Sequence, residues 1–287
     1  MRTGARSARQ LLRNAAERLA QTGVPEPVAS AEVLLAELLC VSRSELMFRE
    51  DPPTSEEMAL YETWILRRLQ REPVQRILGY AYFRNLRLEL DGCTLIPRPD
   101  TESVVGAALE AVNRRNNTCR VLDLGTGSGA IAISLACEQP SCDVYATDNS
   151  EGSLKVARRN AVRAGAKVRF YRTDLFSGLD TLFAGGVDVL VSNPPYIRSA
   201  QIQTLAPEVR DWDPRTALDG GPDGLVFYRR IFTEAAPLLK NGADVILEVG
   251  DGQAEKVLRL GQRAGYDPAG THPDLGGTPR AVWLRWN

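Results

Sequence analysis

From residue 120 onward, short apolar runs alternate with segments of helical periodicity, and this alternation constrains the fold more than any other feature of the chain. Residues 120–124, 144–147, 168–171, 187–192, 243–249 and 281–286 read as strands. Helical patterns follow the first of them to about Cys137 and cover 150–164, 225–240 and 252–264. Strands alternating with helices specify an α/β fold with a mostly parallel, doubly wound, Rossmann-like sheet. Ligands bind such sheets at the carboxyl ends of the strands, near the point where strand order reverses. The chemistry is therefore expected where the strands break into loops.

The first strand breaks into Asp123-Leu124-Gly125-Thr126-Gly127-Ser128-Gly129, which then opens a helix. Glycines let the backbone turn tightly and approach a ligand closely, with helix amides facing it. Asp148, nineteen residues past Gly129, closes the second strand, where an acid accepts hydrogen bonds from ribose hydroxyls. Gly125, Gly127 and Ala130 also satisfy the loose dinucleotide pattern, so this loop alone leaves NAD, S-adenosylmethionine and a purely structural turn open. Asp123 and the third glycine favour S-adenosylmethionine, whose charged amino acid end an acid and backbone groups can hold. Asp174, at the end of the third strand, is placed either to contact adenine or to cap the short segment after it.

The fourth strand breaks into Asn193-Pro194-Pro195-Tyr196. A carboxamide or exocyclic base nitrogen is a poor nucleophile because its lone pair is delocalised. Two acceptors aimed at its N–H bonds orient it and push electron density onto nitrogen. Asn193 Oδ1 is suited to be one and the Pro194 carbonyl the other. Pro194 keeps Asn193 extended, and Pro195 does the same for Pro194. The Tyr196 ring can pack on the flat face of the acceptor group. Desolvated hydrogen bonds of this kind contribute about 1–3 kcal/mol each, and orientation toward the methyl group on the order of 7–11 kcal/mol. No general base is required, since the nitrogen sheds its proton once methylated and cationic.

Composition narrows the alternatives. The chain has 287 residues, 44% of them hydrophobic, enough for one α/β domain and a smaller companion. A formal net charge of −1 gives no global electrostatic case for nucleic acid. The positive charge is nearly all arginine, the only lysines being Lys155, Lys167, Lys240 and Lys256, but no run marks a patch. Five cysteines without a C-x-x-C pair suggest a reduced compartment and neither a disulfide frame nor zinc. A single histidine, His272, excludes metal sites or mechanisms needing two imidazoles. No metal, no transmembrane run and nothing demanding more than a monomer is expected.

Residues 1–72 read as a helical domain, with apolar positions at helical spacing over 8–21, 28–40 and 55–70. The Arg-rich first sixteen residues loosely imitate a transit peptide, but Leu11, Leu12, Ala15, Ala16, Leu19 and Ala20 favour a folded helix. Thr54 and Glu57 form a capping box for the third segment. Ten Arg against eleven Asp plus Glu leave this region near neutral, which suits docking a protein better than binding DNA. Residues 73–97, punctuated by Gly79, Asn85 and Asp91-Gly92, suggest a linking β-hairpin before the domain at 98–287. Asp100 or Thr101 is the natural N-cap of the helix at 102–114.

With these residues in place the sequence resembles the HemK/PrmC family, the release factor glutamine N5-methyltransferases. The resemblance is carried by Pro73-Val74-Gln75-Arg76-Ile77-Leu78-Gly79, Ile96-Pro97-Arg98-Pro99-Asp100-Thr101-Glu102, the Gly loop, Ser192-Asn193-Pro194-Pro195-Tyr196-Ile197, Trp212-Asp213-Pro214-Arg215, the segment at 217–225, and Leu247-Glu248-Val249-Gly250. It implies a class I S-adenosylmethionine-dependent methyltransferase fold with a small N-terminal helical bundle, acting in the cytoplasm. The implied substrate is the glutamine of the Gly-Gly-Gln motif of class-1 peptide-chain release factors, docked with help from the helical domain. On this resemblance Gly125, Thr126, Gly127, Ser128, Gly129 and Asp148 hold the cofactor, with Asp174 and Leu175 at the adenine and Asn193 reaching both ligands. Leu175 stands where the family often has an aromatic residue, and Arg76 where it usually has tyrosine. Rival readings are a ribosomal-protein glutamine methyltransferase, a nucleic-acid adenine-N6 methyltransferase and a silent cofactor-binding module; the 96–102 and 217–225 segments, the neutral N-terminal region and the intact tetrapeptide argue respectively against them.

Overall fold

The computed structural model describes residues 7–49, 51–115, 119–183 and 186–287; the start of the Arg-rich stretch, at 1–6, lies outside them. In chain order the helices are α1 (Ala8–Gln21), α2 (Pro27–Leu38), α3 (Arg43–Phe48), α4 (Ser55–Leu69), α5 (Val74–Leu78), α6 (Glu102–Asn113), α7 (Ala130–Glu138), α8 (Glu151–Ala164), α9 (Pro207–Arg210), α10 (Arg215–Leu218), α11 (Val226–Glu234) and α12 (Ala254–Arg263). The strands are β1 (Tyr80–Phe83), β2 (Leu86–Glu89), β3 (Arg120–Leu124), β4 (Asp143–Asp148), β5 (Val168–Arg172), β6 (Val187–Ser192), β7 (Leu239–Glu248), β8 (Tyr266–Pro273) and β9 (Pro279–Trp286). They divide into two compact units.

The first unit holds the described residues up to Gly79 together with Pro207–Trp212. Its core is one apolar cluster, including Leu19, Leu34, Leu35, Leu46, Tyr61 and Ile65. Glu57 N donates to Thr54 Oγ1 (3.2 Å) and Thr54 N to Glu57 Oε2 (2.6 Å), the capping box expected for α4. A second box, Ser42 with Glu45, starts α3, a helix too short for its periodicity to show in the sequence. Arg68 (3.0 Å) and Arg71 (2.7 and 2.8 Å) donate to Glu208 and tie the 207–212 segment into this unit. The sequence places 73–79 with the hairpin, but residues 74–78 form α5, begun at Pro73 and ended by Gly79 in the left-handed region (φ 77°).

The second unit is built on a seven-stranded sheet of order β5-β4-β3-β6-β7-β9-β8. β3 to β7 pair in parallel, and β9 runs antiparallel between β7 and β8. Side chains of the central strands alternate between two buried cores. Val121, Val189 and Val191 pack with α6 and α7 on one face, while Leu122, Leu124 and Leu190 pack with α11 on the other. The antiparallel β1–β2 hairpin belongs to this unit, and its Phe83 and Leu88 join the first of these cores. Two boundaries of this unit differ from the sequence reading by more than two residues. α11 stops at Glu234 because Pro237 follows in a 3₁₀ turn, so β7 starts four residues early, at Leu239. β8 was not anticipated: it is a mostly exposed edge strand containing Pro268 and Pro273, with none of the alternation that marks a half-buried strand.

Among the described residues no helix is long and apolar enough to cross a membrane, and no cluster of His, Cys, Asp or Glu is arranged to hold a metal ion. His272 pairs with Glu110 at 3.0 Å.

Candidate active site

β3 and β6 are parallel neighbours whose last paired residues are Leu124 and Ser192. β4 and β5 lie to one side of β3, and β6 to the other, so strand order reverses between β3 and β6. Loops leaving there must diverge and open a crevice. The Gly loop leaves β3 and the tetrapeptide leaves β6, so the two motifs meet at this one place.

The Gly loop turns through three left-handed glycines, Gly125 (φ 68°), Gly127 (φ 56°) and Gly129 (φ 87°). At Gly129 a Cβ would also lie 2.6 Å from Ile133 Cδ1 and 3.2 Å from Ala157 Cβ, so both backbone conformation and close helix packing require glycine. Asp123 behaves differently from the sequence expectation that it holds the cofactor's amino end. It is fully buried, and its Oδ2 accepts Thr126 Oγ1 (2.7 Å) and Ala132 N (3.2 Å), which fixes the loop onto α7. Its Oδ1 has no partner, and burial pushes its carboxyl up to about 7.

Asp148 accepts Gly127 N on Oδ2 (2.9 Å) and Ser150 N on Oδ1 (2.8 Å). Desolvation raises its pKa above the usual carboxylate range, although both backbone bonds favour the ionised form. This bears on which ligand fits. In a pyrophosphate cradle the Gly127 N–H would face the anion; here a carboxylate already occupies it. Arg98, a cation on the pocket wall, is paired with the fully buried Asp213 carboxylate at 2.5 Å. The crevice therefore suits a ribose joined to a cationic group better than a diphosphate.

In the tetrapeptide, Asn193 is partly buried, and its Nδ2 donates to Thr101 Oγ1 at 3.2 Å. The carboxamide nitrogen is thus occupied on the protein side and Oδ1 remains as the acceptor. Thr101 was expected as a candidate helix cap, but no side-chain cap bond forms there. Asp100, the other candidate, is held by Arg280 at 3.2 Å.

The 217–225 segment supports the tetrapeptide from behind. Ile197 N donates to Leu218 O (3.0 Å), Gly220 N to Ile197 O (2.8 Å) and Gln253 Nε2 to Tyr196 O (3.0 Å). A Cβ at Gly220 would lie 2.7 Å from both Pro195 O and Tyr196 Cα, and one at Gly250 would lie 2.9 Å from the Tyr196 ring. These glycines are small because the Pro195–Tyr196 backbone and ring occupy that space. Asp213 ties the 213–215 segment to 96–98, accepting from Ile96 N as well as Arg98.

One pocket is lined by Gly125, Thr126, Gly127, Ser128, Asp148, Asp174, Leu175, Asn193, Pro194 and Pro195. Neither Gly129 nor the Tyr196 ring is on its wall, and the Tyr196 hydroxyl faces Glu248 Oε1 at 3.4 Å. Asp174 is paired with Arg230 at 3.0 Å, and the Ser177 N–H goes to its backbone carbonyl, so its side chain does not cap the following segment. Leu175 is itself left-handed (φ 49°), a strained conformation for leucine that sets its side chain at the pocket edge. Thr101, Thr216, Ala217 and Phe227 also line the pocket, and no site role was assigned to them from sequence. Thr101 and Ala217 lay within segments that carried the resemblance; Phe227 and Thr216 had no local signal.

The PrmC N-terminal domain model matches residues 10–79, and the methyltransferase small domain model matches 106–209. The chain is 42% identical to the release factor glutamine methyltransferase of Geobacter sulfurreducens over 266 residues, covering 92% of this chain and 91% of the relative. It is also 42% identical to the enzyme of that name from Streptomyces coelicolor, covering 94% and 95%. The chain belongs to the release factor glutamine methyltransferase family. It is an S-adenosylmethionine-dependent methyltransferase of class I fold, as the motif resemblance implied. A solved methyltransferase from Pyrococcus furiosus shares that fold, with a TM-score of 0.52 at 22% identity, covering 70% of this chain and 89% of the other. For a member of this family, the occupied Gly127 amide and the acid-lined crevice are consistent with a cationic methyl donor.

Proposed function

We propose that this chain transfers a methyl group to the side-chain amide nitrogen of the glutamine in the Gly-Gly-Gln motif of class-1 peptide-chain release factors. The observation that carries this reading is the Asn193 carboxamide, anchored through its nitrogen and leaving its oxygen as an acceptor beside the Gly loop. S-adenosylmethionine supplies an electrophilic methyl group when bound. Gly125, Thr126, Gly127, Ser128 and Gly129 accept it closely, Asp148 takes the ribose hydroxyls, and Asp174 and Leu175 flank the adenine. Asn193 Oδ1 and the Pro194 carbonyl receive the two N–H bonds of the substrate amide. Pro195 holds that carbonyl in place, and Tyr196 steadies the turn. The amide nitrogen would take that methyl group, the carbon–sulfur bonding pair leaving with the donor's sulfur, and its extra proton would pass to solvent.

The helical residues at 1–72 dock the protein substrate in this reading, residues 73–97 link them to the transferase at 98–287, and the enzyme works as a cytoplasmic monomer without contacting nucleic acid. The test is to incubate the protein with labelled cofactor and release factor, ribosomal protein or DNA, and to locate the label by mass. Label on the Gly-Gly-Gln peptide supports the reading. Label on the ribosomal protein or on a base, or none at all, overturns it.

A further inference from the structure

Cys119 and Cys142 stand immediately before β3 and β4, at the end of the sheet away from the pocket, and neither lines it. The two strands pair in parallel from Arg120 and Asp143 onward, and Asp143 N donates to Cys119 O at 3.0 Å. Register thus sets the two cysteines side by side, and their Sγ atoms lie 3.3 Å apart. Neighbouring strands run about 4.7–4.9 Å apart, inside the range of Cα separations that a disulfide spans. The sulfurs need only close to about 2.05 Å for a bond to form. Cys119 is buried, whereas Cys142 is half-buried and open to a small solute.

We propose that Cys119 and Cys142 are a reversible oxidation site, which hydrogen peroxide joins into a disulfide. The Cys142 thiolate attacks one peroxide oxygen. A sulfur–oxygen bond forms as the oxygen–oxygen bond breaks, and the departing hydroxide takes up the thiol's proton and leaves as water. Cys142 is then a sulfenic acid, which condenses with a neighbouring thiol. The Cys119 sulfur attacks the Cys142 sulfur, the S–S bond forms as the S–O bond breaks, and a second water leaves with the Cys119 proton. Each sulfur has lost one electron and each peroxide oxygen has gained one.

The two sulfurs have different parts in this sequence. Burial, the adjoining Cys142 sulfur and Asp188 raise the Cys119 thiol well above its usual range, so it stays protonated and out of reach. Cys142 is therefore oxidised first, and Cys119 resolves it. The bridge closes residues 119–142, the strand, loop and helix that carry Gly125, Gly127 and Gly129. Closing that loop restricts the unfolded chain and so stabilises the transferase unit. A dithiol reductant restores the thiols.

The experiment treats the full chain with a few equivalents of hydrogen peroxide and then blocks the remaining thiols by alkylation. Cleavage after Arg120 and Glu138 separates Cys119, Cys137 and Cys142 for a peptide map by mass. The expected product is the Cys119 peptide joined to the Cys142 peptide, lighter than the reduced pair by two hydrogens and released by dithiothreitol. The oxidised chain should melt about 5 °C or more above the reduced one, and Cys142→Ser should lose this rise. Cys119 and Cys142 recovered separately alkylated, Cys142 recovered as a sulfinic acid without a bridge, or a bridge to the exposed Cys40, Cys93 or Cys137 would overturn the site. A bridged chain that melts no higher than the reduced one would overturn its stabilising effect.

Discussion

Ser192 donates its hydroxyl to the Leu124 carbonyl at 2.7 Å, where β6 and β3 end side by side. This bond clamps together the two strand ends from which the Gly loop and the tetrapeptide depart. Placing two reacting groups within reach in the right orientation can remove on the order of 7–11 kcal/mol from a transfer barrier. A parallel register that ends both strands together sets that distance in the backbone, before any side chain is considered.

Asn193→Ala should lower kcat by about 10²-fold or more, the scale on which removing a preorganised hydrogen-bonding group acts. Cofactor affinity, read by calorimetry, should remain near wild type because the Gly loop and Asp148 are untouched. Normal turnover in this variant would contradict the acceptor role.

Asp148→Ala should show the reverse pattern. Losing charge-assisted hydrogen bonds to a ribose weakens cofactor binding by about 1.5–3 kcal/mol. Asp148 also holds Gly127 N, so the loop itself should loosen. Titration calorimetry checks the affinity, and turnover at saturating cofactor should recover much of the wild-type rate.

Gly220→Ala forces a Cβ to within 2.7 Å of the Pro195 carbonyl and Tyr196 Cα, backbone atoms that cannot give way. It should cost about 1–3 kcal/mol of stability and shift the tetrapeptide, lowering kcat as well. Gly106→Ala is the control. Gly106 lies inside α6 with nothing within 4 Å of an added Cβ, so alanine there should stabilise by about 0.5–1 kcal/mol. Urea denaturation compares the two.

Asp123 and Glu248 both have carboxyls pushed up to about 7, against 3.8 and 4.5 for the free groups. Between those limits the folded state binds more protons than the unfolded one, so stability falls as pH rises and levels off above about 7. Each group contributes a slope of at most about 1.4 kcal/mol per pH unit. Acids such as Asp223, lowered to about 2 by Arg229, act the opposite way, and stabilise until the pH falls toward that value. Denaturation at a series of pH values should show the decline, and Glu248→Gln should flatten it.

Much of the transferase sheet could be read from sequence because its central strands are buried on both faces and carry unbroken apolar runs. The Gly loop and tetrapeptide were legible for the same reason: each directly follows such a run. What escaped was signalled weakly or ambiguously. β8 lies exposed at the edge with prolines in it, and α3 is six residues long. Thr101 looked like a cap because threonine before a helical run usually is one. Glu248 read as part of a resemblance and nothing more.

The sequence by itself determined the chemistry on offer: a glycine turn with an acid after the next strand, and an amide acceptor locked between a strand and two prolines. Those are local properties, set by φ restriction and residue type. Only the tertiary structure decided how they work together. It seals Asp123 away from the pocket, spends the Gly127 amide on Asp148, and turns Thr101 from its own helix toward Asn193. Each of these depends on which distant strand end arrives alongside, and that is fixed by sheet order and register, which no local pattern contains.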